Sequence, residues 1–140
     1  MGRKLGRVAA TVTAAVGMTV LSAGVLPADD KEKTYAIEEI MKRHTGAKSL
    51  LKGVAVQVKE AKWEEAKGGA KLLKAFGESL GKNKPPRGEE KSWKKLTEQY
   101  KESTATIYKA VEKKDAKTAL DTLGKIGKSC MGCHKQHKPK

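Results

Sequence analysis

Large rings are scarce in this chain of 140 residues: two Trp, three Tyr and one Phe, 4% of the total. Cysteine is scarcer still. The only two, Cys130 and Cys133, sit within four residues of each other. That excludes a disulfide framework, which staples distant segments; a bridge here would close a loop too short to constrain the unfolded chain. Proline occurs four times, two of them together at Pro85-Pro86, so breaks in regular structure are few. There is no sustained apolar/polar alternation, which argues against strands, and no internal repeat or low-complexity tract. No nucleophile–base constellation and no Gly-rich phosphate loop stands out, so the composition gives an enzyme little support.

Acidic residues are also in deficit, 16 against 30 Lys and Arg. Three of the basic residues, Arg3, Lys4 and Arg7, lead into an uncharged apolar run from Val8 to Leu26 that ends at Pro27-Ala28 before Asp29-Asp30. This is the layout of a secretory signal, with cleavage expected after Ala28 and export to the periplasm. Leu26 is large for the third position before a cleavage site. The alternative is an uncleaved N-terminal membrane anchor, since an uncharged, largely apolar run of 19 residues is near the minimum for a span. Residues 29–140 are then one domain of 112 residues with 27 basic and 16 acidic side chains, a net charge of +11. An exported chain rarely meets nucleic acid, so this charge points to acidic protein partners or an anionic membrane surface, against the simpler reading of a solvated Lys-rich exterior.

Apolar residues recur at helical spacing, and four helices are expected. The first, from about Lys31 to Glu60, carries the stripe Ile37, Ile40, Met41, His44, Ala47, Leu51, Ala55 and Val58, with Gly46 and Gly53 as places for a bend. The second, about Trp63 to Leu80, places Trp63, Ala66, Ala70, Leu73, Phe76 and Leu80 on one face. A Pro/Gly loop over 81–88 follows. The third, about Glu89 to Lys113, carries Trp93, Leu96, Tyr100, Ser103, Ile107, Ala110 and Val111. Asp115 is the expected N-cap of the fourth, which runs to about Lys138 with Ala119, Leu123, Ile126, Cys130, Cys133, His134 and His137 on its stripe. Helices of about 30–45 Å with short links suit an all-α, antiparallel up-down-up-down four-helix bundle. With so few rings its core is thin, and a large flat apolar cofactor would fill it.

Cys130-Met131-Gly132-Cys133-His134 is a CxxCH run, the attachment signal of c-type haem. The two thiols add across the haem vinyl groups, and His134 takes the iron as proximal ligand. Zinc on Cys130, Cys133, His134 and His137 is the competing chemistry, but structural zinc sites bring ligand pairs from separate segments. A thioredoxin-like redox pair would need a strand before its helix. His137 reads as a surface or propionate-side residue. Trp63, Trp93, Phe76 and Tyr100 read as core, one of them available to stack on a porphyrin.

The mature chain resembles the class II c-type cytochromes, the cytochrome c′ family. The resemblance rests on Gly127-Lys128-Ser129-Cys130-Met131-Gly132-Cys133-His134 near the chain's end and on Trp93 opening a helix after a Pro/Gly loop. It implies a four-helix bundle with one covalent haem c beside the last helix and a sixth iron position facing the first. It also implies a homodimer through the first two helices. Ile37-Glu38-Glu39-Ile40-Met41-Lys42 is similar to the low-spin pattern, in which a Met closes that position, although Ile37-Glu38 stands where an Arg-Gln pair is common. Met41 is therefore the first choice for distal ligand. His44, on the same stripe, is the alternative, because imidazole binds iron as well. The expected function is periplasmic one-electron transfer; the alternative is binding of nitric oxide or carbon monoxide at an open high-spin iron, and a haem-free module holding zinc is a third option.

Overall fold

Helical periodicity, interrupted where turn residues fall, gives five helices in the computed structural model, which describes residues 33–140. The expected signal or anchor over 1–28 lies outside the described residues. No helix among the described residues is long and apolar enough to cross a membrane. No strand occurs among them either.

The expected first helix is two. Helix α1 (Ile37–His44) has Glu38 and Glu39 in its first turn and Lys42, Arg43 and His44 in its last, charges that complement the helix dipole. It ends where Gly46 adopts φ +82°, a conformation open to glycine and strained for other residues. Helix α2 (Leu50–Lys59) restarts with a new phase: Val54 and Val58 are buried, whereas Leu51 and Ala55 are half-buried. One uninterrupted stripe through Ala47, Leu51 and Ala55 therefore does not form. Gly53, the other expected weak point, lies within α2.

Helices α3 (Trp63–Leu80), α4 (Glu90–Glu112) and α5 (Ala116–His137) follow the expected bounds closely. The Asp115 carboxylate accepts from the Thr118 backbone N–H at 3.0 Å, the N-cap read from the sequence. Helix α3 packs on α4, α4 on α5, α5 on α2 and α2 on α3, closing a ring of four, and α1 leans on α2 and α3. Neighbours run antiparallel. Along α3 and α4, Lys67 pairs with Glu112 at 3.6 Å, Gly77 faces Thr104, and Gly81 faces Thr97.

Gly77 is required by this crossing, since a methyl group there would run into the Thr104 hydroxyl and the Lys101 backbone. The close approach buries Thr97 and Thr104, which the apolar stripe did not include. Each is satisfied within its own helix, Thr97 Oγ1 donating to the Trp93 carbonyl at 2.9 Å and Thr104 Oγ1 to the Lys101 carbonyl at 2.9 Å.

The interior divides into two clusters. The larger joins Val54, Val58, Ala70, Leu73, Ile107, Val111 and Ile126 with their neighbours. The smaller joins Ile40, Phe76, Leu80 and Trp93, with Tyr35, Ile37 and Met41 packed against it. Trp93 is fixed there by its indole N–H, which donates to the Asn83 carbonyl at 2.8 Å. The Asn83 amide in turn donates to the Tyr35 carbonyl at 3.0 Å and so ties the segment before α1 to the end of α3.

Candidate functional site

Between the two clusters the bundle is hollow. A cavity of about 360 Å³ opens there, lined largely by apolar surface from α1, α3, α4 and α5. This is within the size range of pockets that hold a cofactor. Cys130 packs against the larger cluster and Cys133 against the smaller, so the two thiols of α5 straddle the gap.

The cavity walls gather the residues singled out by the sequence. Cys130, Cys133 and His134 come from α5, Met41 and His44 from α1, and Leu96, Tyr100 and Ser103 from α4. The α4 stripe is thus split by function: Ile107, Ala110 and Val111 fill the core, while Leu96, Tyr100 and Ser103 face the hollow. Of the four aromatic residues read as core, Tyr100 alone lines the cavity. Phe76 and Trp93 are buried in the smaller cluster, and Trp63 is half-buried beside the larger one.

Both cysteines are free thiols, and burial pushes both thiol pKa values up, which keeps them protonated. Cys130 Sγ–H donates to the Ile126 carbonyl one turn back at 3.2 Å.

The three histidines differ sharply in what their rings touch. His44 donates from Nδ1 to the Ile40 carbonyl at 2.8 Å, which fixes the tautomer and leaves Nε2 as an acceptor. That nitrogen takes the Tyr100 hydroxyl at 2.7 Å. Burial holds the His44 pKa below its ordinary value, partly offset by the bond to Ile40, and burial likewise pushes the Tyr100 phenol well up, so both stay neutral. His134 lines the cavity, and no hydrogen bond to its ring occurs among the described residues.

His137 departs from the expected surface or propionate-side position. It is 2% exposed, donates from Nδ1 to the Arg87 carbonyl at 2.7 Å, has the Ser92 hydroxyl 2.9 Å from Nε2, and meets the edge of Trp93 with ring centroids 5.3 Å apart. It therefore clamps the loop before α4 to the end of α5 and is not a cavity wall. Arg87 reinforces the clamp by donating from Nη2 to the Lys135 carbonyl at 2.9 Å. Gly88, at φ +82°, is forced by the same contact, because a Cβ there would lie 2.7 Å from the Gln136 carbonyl oxygen. A zinc set that includes His137 does not assemble. Among the described residues no group of three or more His, Cys, Asp or Glu side chains converges on a metal position.

Sequence reasoning missed the His44–Tyr100 bond and the His137 clamp. The stripe placed all three residues on buried faces but carried no sign of their partners, which lie 56 and 50 positions away along the chain.

Residues 88–138 match the Cytochrome C' family model. The match covers 51 of the 140 residues and supports a likeness of this part of the chain to the class II cytochromes c′, and so to the c-type cytochromes. It spans α4 and α5 with the CxxCH run, and leaves α1 with Met41 and His44 outside. No curated protein and no solved structure matches the chain.

The residues present fit the haem c that this likeness implies: the cavity is lined largely by apolar surface, two neutral thiols stand at its wall, and next to the second thiol stands an imidazole with no hydrogen-bond partner among the described residues.

Proposed function

We propose that this protein is an exported monohaem c-type cytochrome that carries single electrons in the periplasm. Cys130 and Cys133 would hold the haem covalently and His134 would be the proximal iron ligand. The observation that carries the reading is the convergence of the CxxCH run with Met41 and His44, from the opposite end of the chain, on one apolar cavity. A haem held there supplies a reversible one-electron couple at its iron. The chain supplies a largely apolar surround and candidate ligands from two sides, which would set the potential. Export is supported by the signal-like layout of 1–28.

The reading includes an acidic protein partner. After Asp121 the chain has no further acid, and α5 and its tail carry Lys125, Lys128, Lys135, Lys138 and Lys140. Met131, 63% exposed within the CxxCH run, stands among these charges. A basic rim around an apolar spot speeds the encounter with a negatively charged redox protein. An anionic membrane surface would be attracted by the same lysines, and a homodimer is implied by the family resemblance alone.

A second reading, capture of nitric oxide or carbon monoxide at an open iron, is favoured by one observation: the Tyr100 hydroxyl already occupies Nε2 of His44. The spectrum of the reduced protein separates the two. Sharp α and β bands support electron transfer through a closed six-coordinate site, and one broad band with immediate carbon monoxide binding supports the second reading.

A further inference from the structure

Two side chains of α1 face the cavity from the side opposite α5, and they are not equivalent. Met41 lines the cavity while packing against the cluster of Ile40, Phe76, Leu80 and Trp93, as an unbranched apolar side chain that no hydrogen bond orients among the described residues. His44 is set differently. Its Nδ1–H is spent on the Ile40 carbonyl, as ligating histidines commonly spend theirs on a carbonyl or carboxylate, and this directs the lone pair of Nε2 toward α4 and the cavity. The ring is steadied by Phe76 and Tyr100, with centroids 5.9 and 5.8 Å away. Its partner there is a neutral phenol hydroxyl, a modest hydrogen bond that a metal can displace. His44 is also the last residue of α1, followed by the non-helical 45–49 with Gly46 at φ +82°, and α1 has the lightest packing of the five helices. A small movement of this end costs little of the core.

We propose that His44 and Tyr100 form a latch: His44 Nε2 would be the α1 group that holds the iron of a haem in this cavity, and the Tyr100 hydroxyl would be its resting partner whenever an external ligand displaces it. One coordinate bond replaces one hydrogen bond, and no proton or electron is exchanged. Met41 stays in the apolar cluster. The latch joins the two functions otherwise set against each other, since a closed site carries electrons and the released imidazole has a ready resting partner. The proposal rests on the haem reading above.

The test uses the full chain exported with its haem, and four proteins: wild type, His44→Ala, Met41→Leu and Tyr100→Phe. Haem content is read first as the pyridine haemochrome. The ferrous wild type is expected to show sharp α and β bands; His44→Ala to show one broad band that sharpens again on adding imidazole; Met41→Leu to match wild type. Tyr100→Phe keeps the sharp bands and binds carbon monoxide about tenfold more slowly, because the displaced imidazole loses its resting partner. Rescue by imidazole distinguishes a lost ligand from a damaged fold. Sharp bands that survive His44→Ala, or that vanish in Met41→Leu, overturn the proposal while the haem reading stands. A carbon monoxide rate in Tyr100→Phe within about twofold of wild type overturns the latch. A wild type without haem overturns the haem reading and this proposal together.

Discussion

The filled and hollow parts of this bundle are built from the same helices, yet they use their residues in opposite ways. Around Leu73, Ala70, Ile107 and Val111, small and branched side chains meet their counterparts, and each helix is satisfied by its neighbours. Around Leu96, Tyr100, Cys130 and Cys133 the walls face one another across the cavity. A hollow lined by apolar groups forfeits dispersion contacts and is a cost unless something fills it. The difference teaches where to look for function: in the part of the core that a four-helix chain with few rings fails to close by itself.

The contrast is sharpest for two leucines. Leu73→Ala in the filled part is expected to destabilise the fold by about 3 kcal/mol, transfer and cavity costs together. Leu96→Ala, on the hollow's wall and half-buried, is expected to cost less than about 1 kcal/mol, since little packs against it. Urea unfolding followed by circular dichroism measures both; equal costs would mean that the hollow is packed as tightly as the rest.

Histidines extend the comparison. His137→Ala removes the clamp, with its bond to the Arg87 carbonyl and the packing of the buried ring against Trp93, and a loss of about 2 kcal/mol is expected. His134→Ala, three residues earlier, touches no hydrogen bond and should leave the stability of the haem-free bundle within about 0.5 kcal/mol of wild type. The same unfolding experiment on haem-free protein reads both. Reversal of the two effects would exchange their assigned roles.

The smallest expected effect lies at the far end of α5. The bond from the Thr118 side chain and backbone holds the exposed Asp115 carboxyl below its ordinary pKa. A carboxyl lowered on folding stabilises above its unfolded value, and that stabilisation fades as pH falls through the folded value. The stability gap between wild type and Asp115→Ala should therefore be full at neutral pH and close under acid conditions, as thermal melts across pH would show. A gap independent of pH would contradict a role for the charge.

Much of this was legible in the amino-acid order. Helical spacing marked α3, α4 and α5 nearly to their ends, because long periodic runs bounded by the Pro85-Pro86 loop and Asp115 leave few alternatives. The CxxCH run was legible in full, since it consists of adjacent residues, and Cys130, Cys133 and His134 do line one cavity. The break at 45–49 was visible only as Gly46, and a glycine within a periodic run does not announce whether the chain turns there; Gly53 did not. The burial of Thr97 and Thr104 was hidden because their polarity is cancelled within their own helix, and the position of His137 because its partners come from a distant loop. Met41 and His44 were both placed on the correct face, but their different partners depend on α3 and α4, which periodicity in α1 does not encode.

The central claim is that two thiols on α5 hold one haem in the hollow of the bundle. Its most direct test is the intact mass of the exported chain, compared with that of a Cys130→Ser/Cys133→Ser variant. The account predicts wild-type protein heavier than its polypeptide by one haem, no titratable thiol, and a double variant without that mass. A wild-type chain at polypeptide mass, folded and helical with two free thiols, would contradict it.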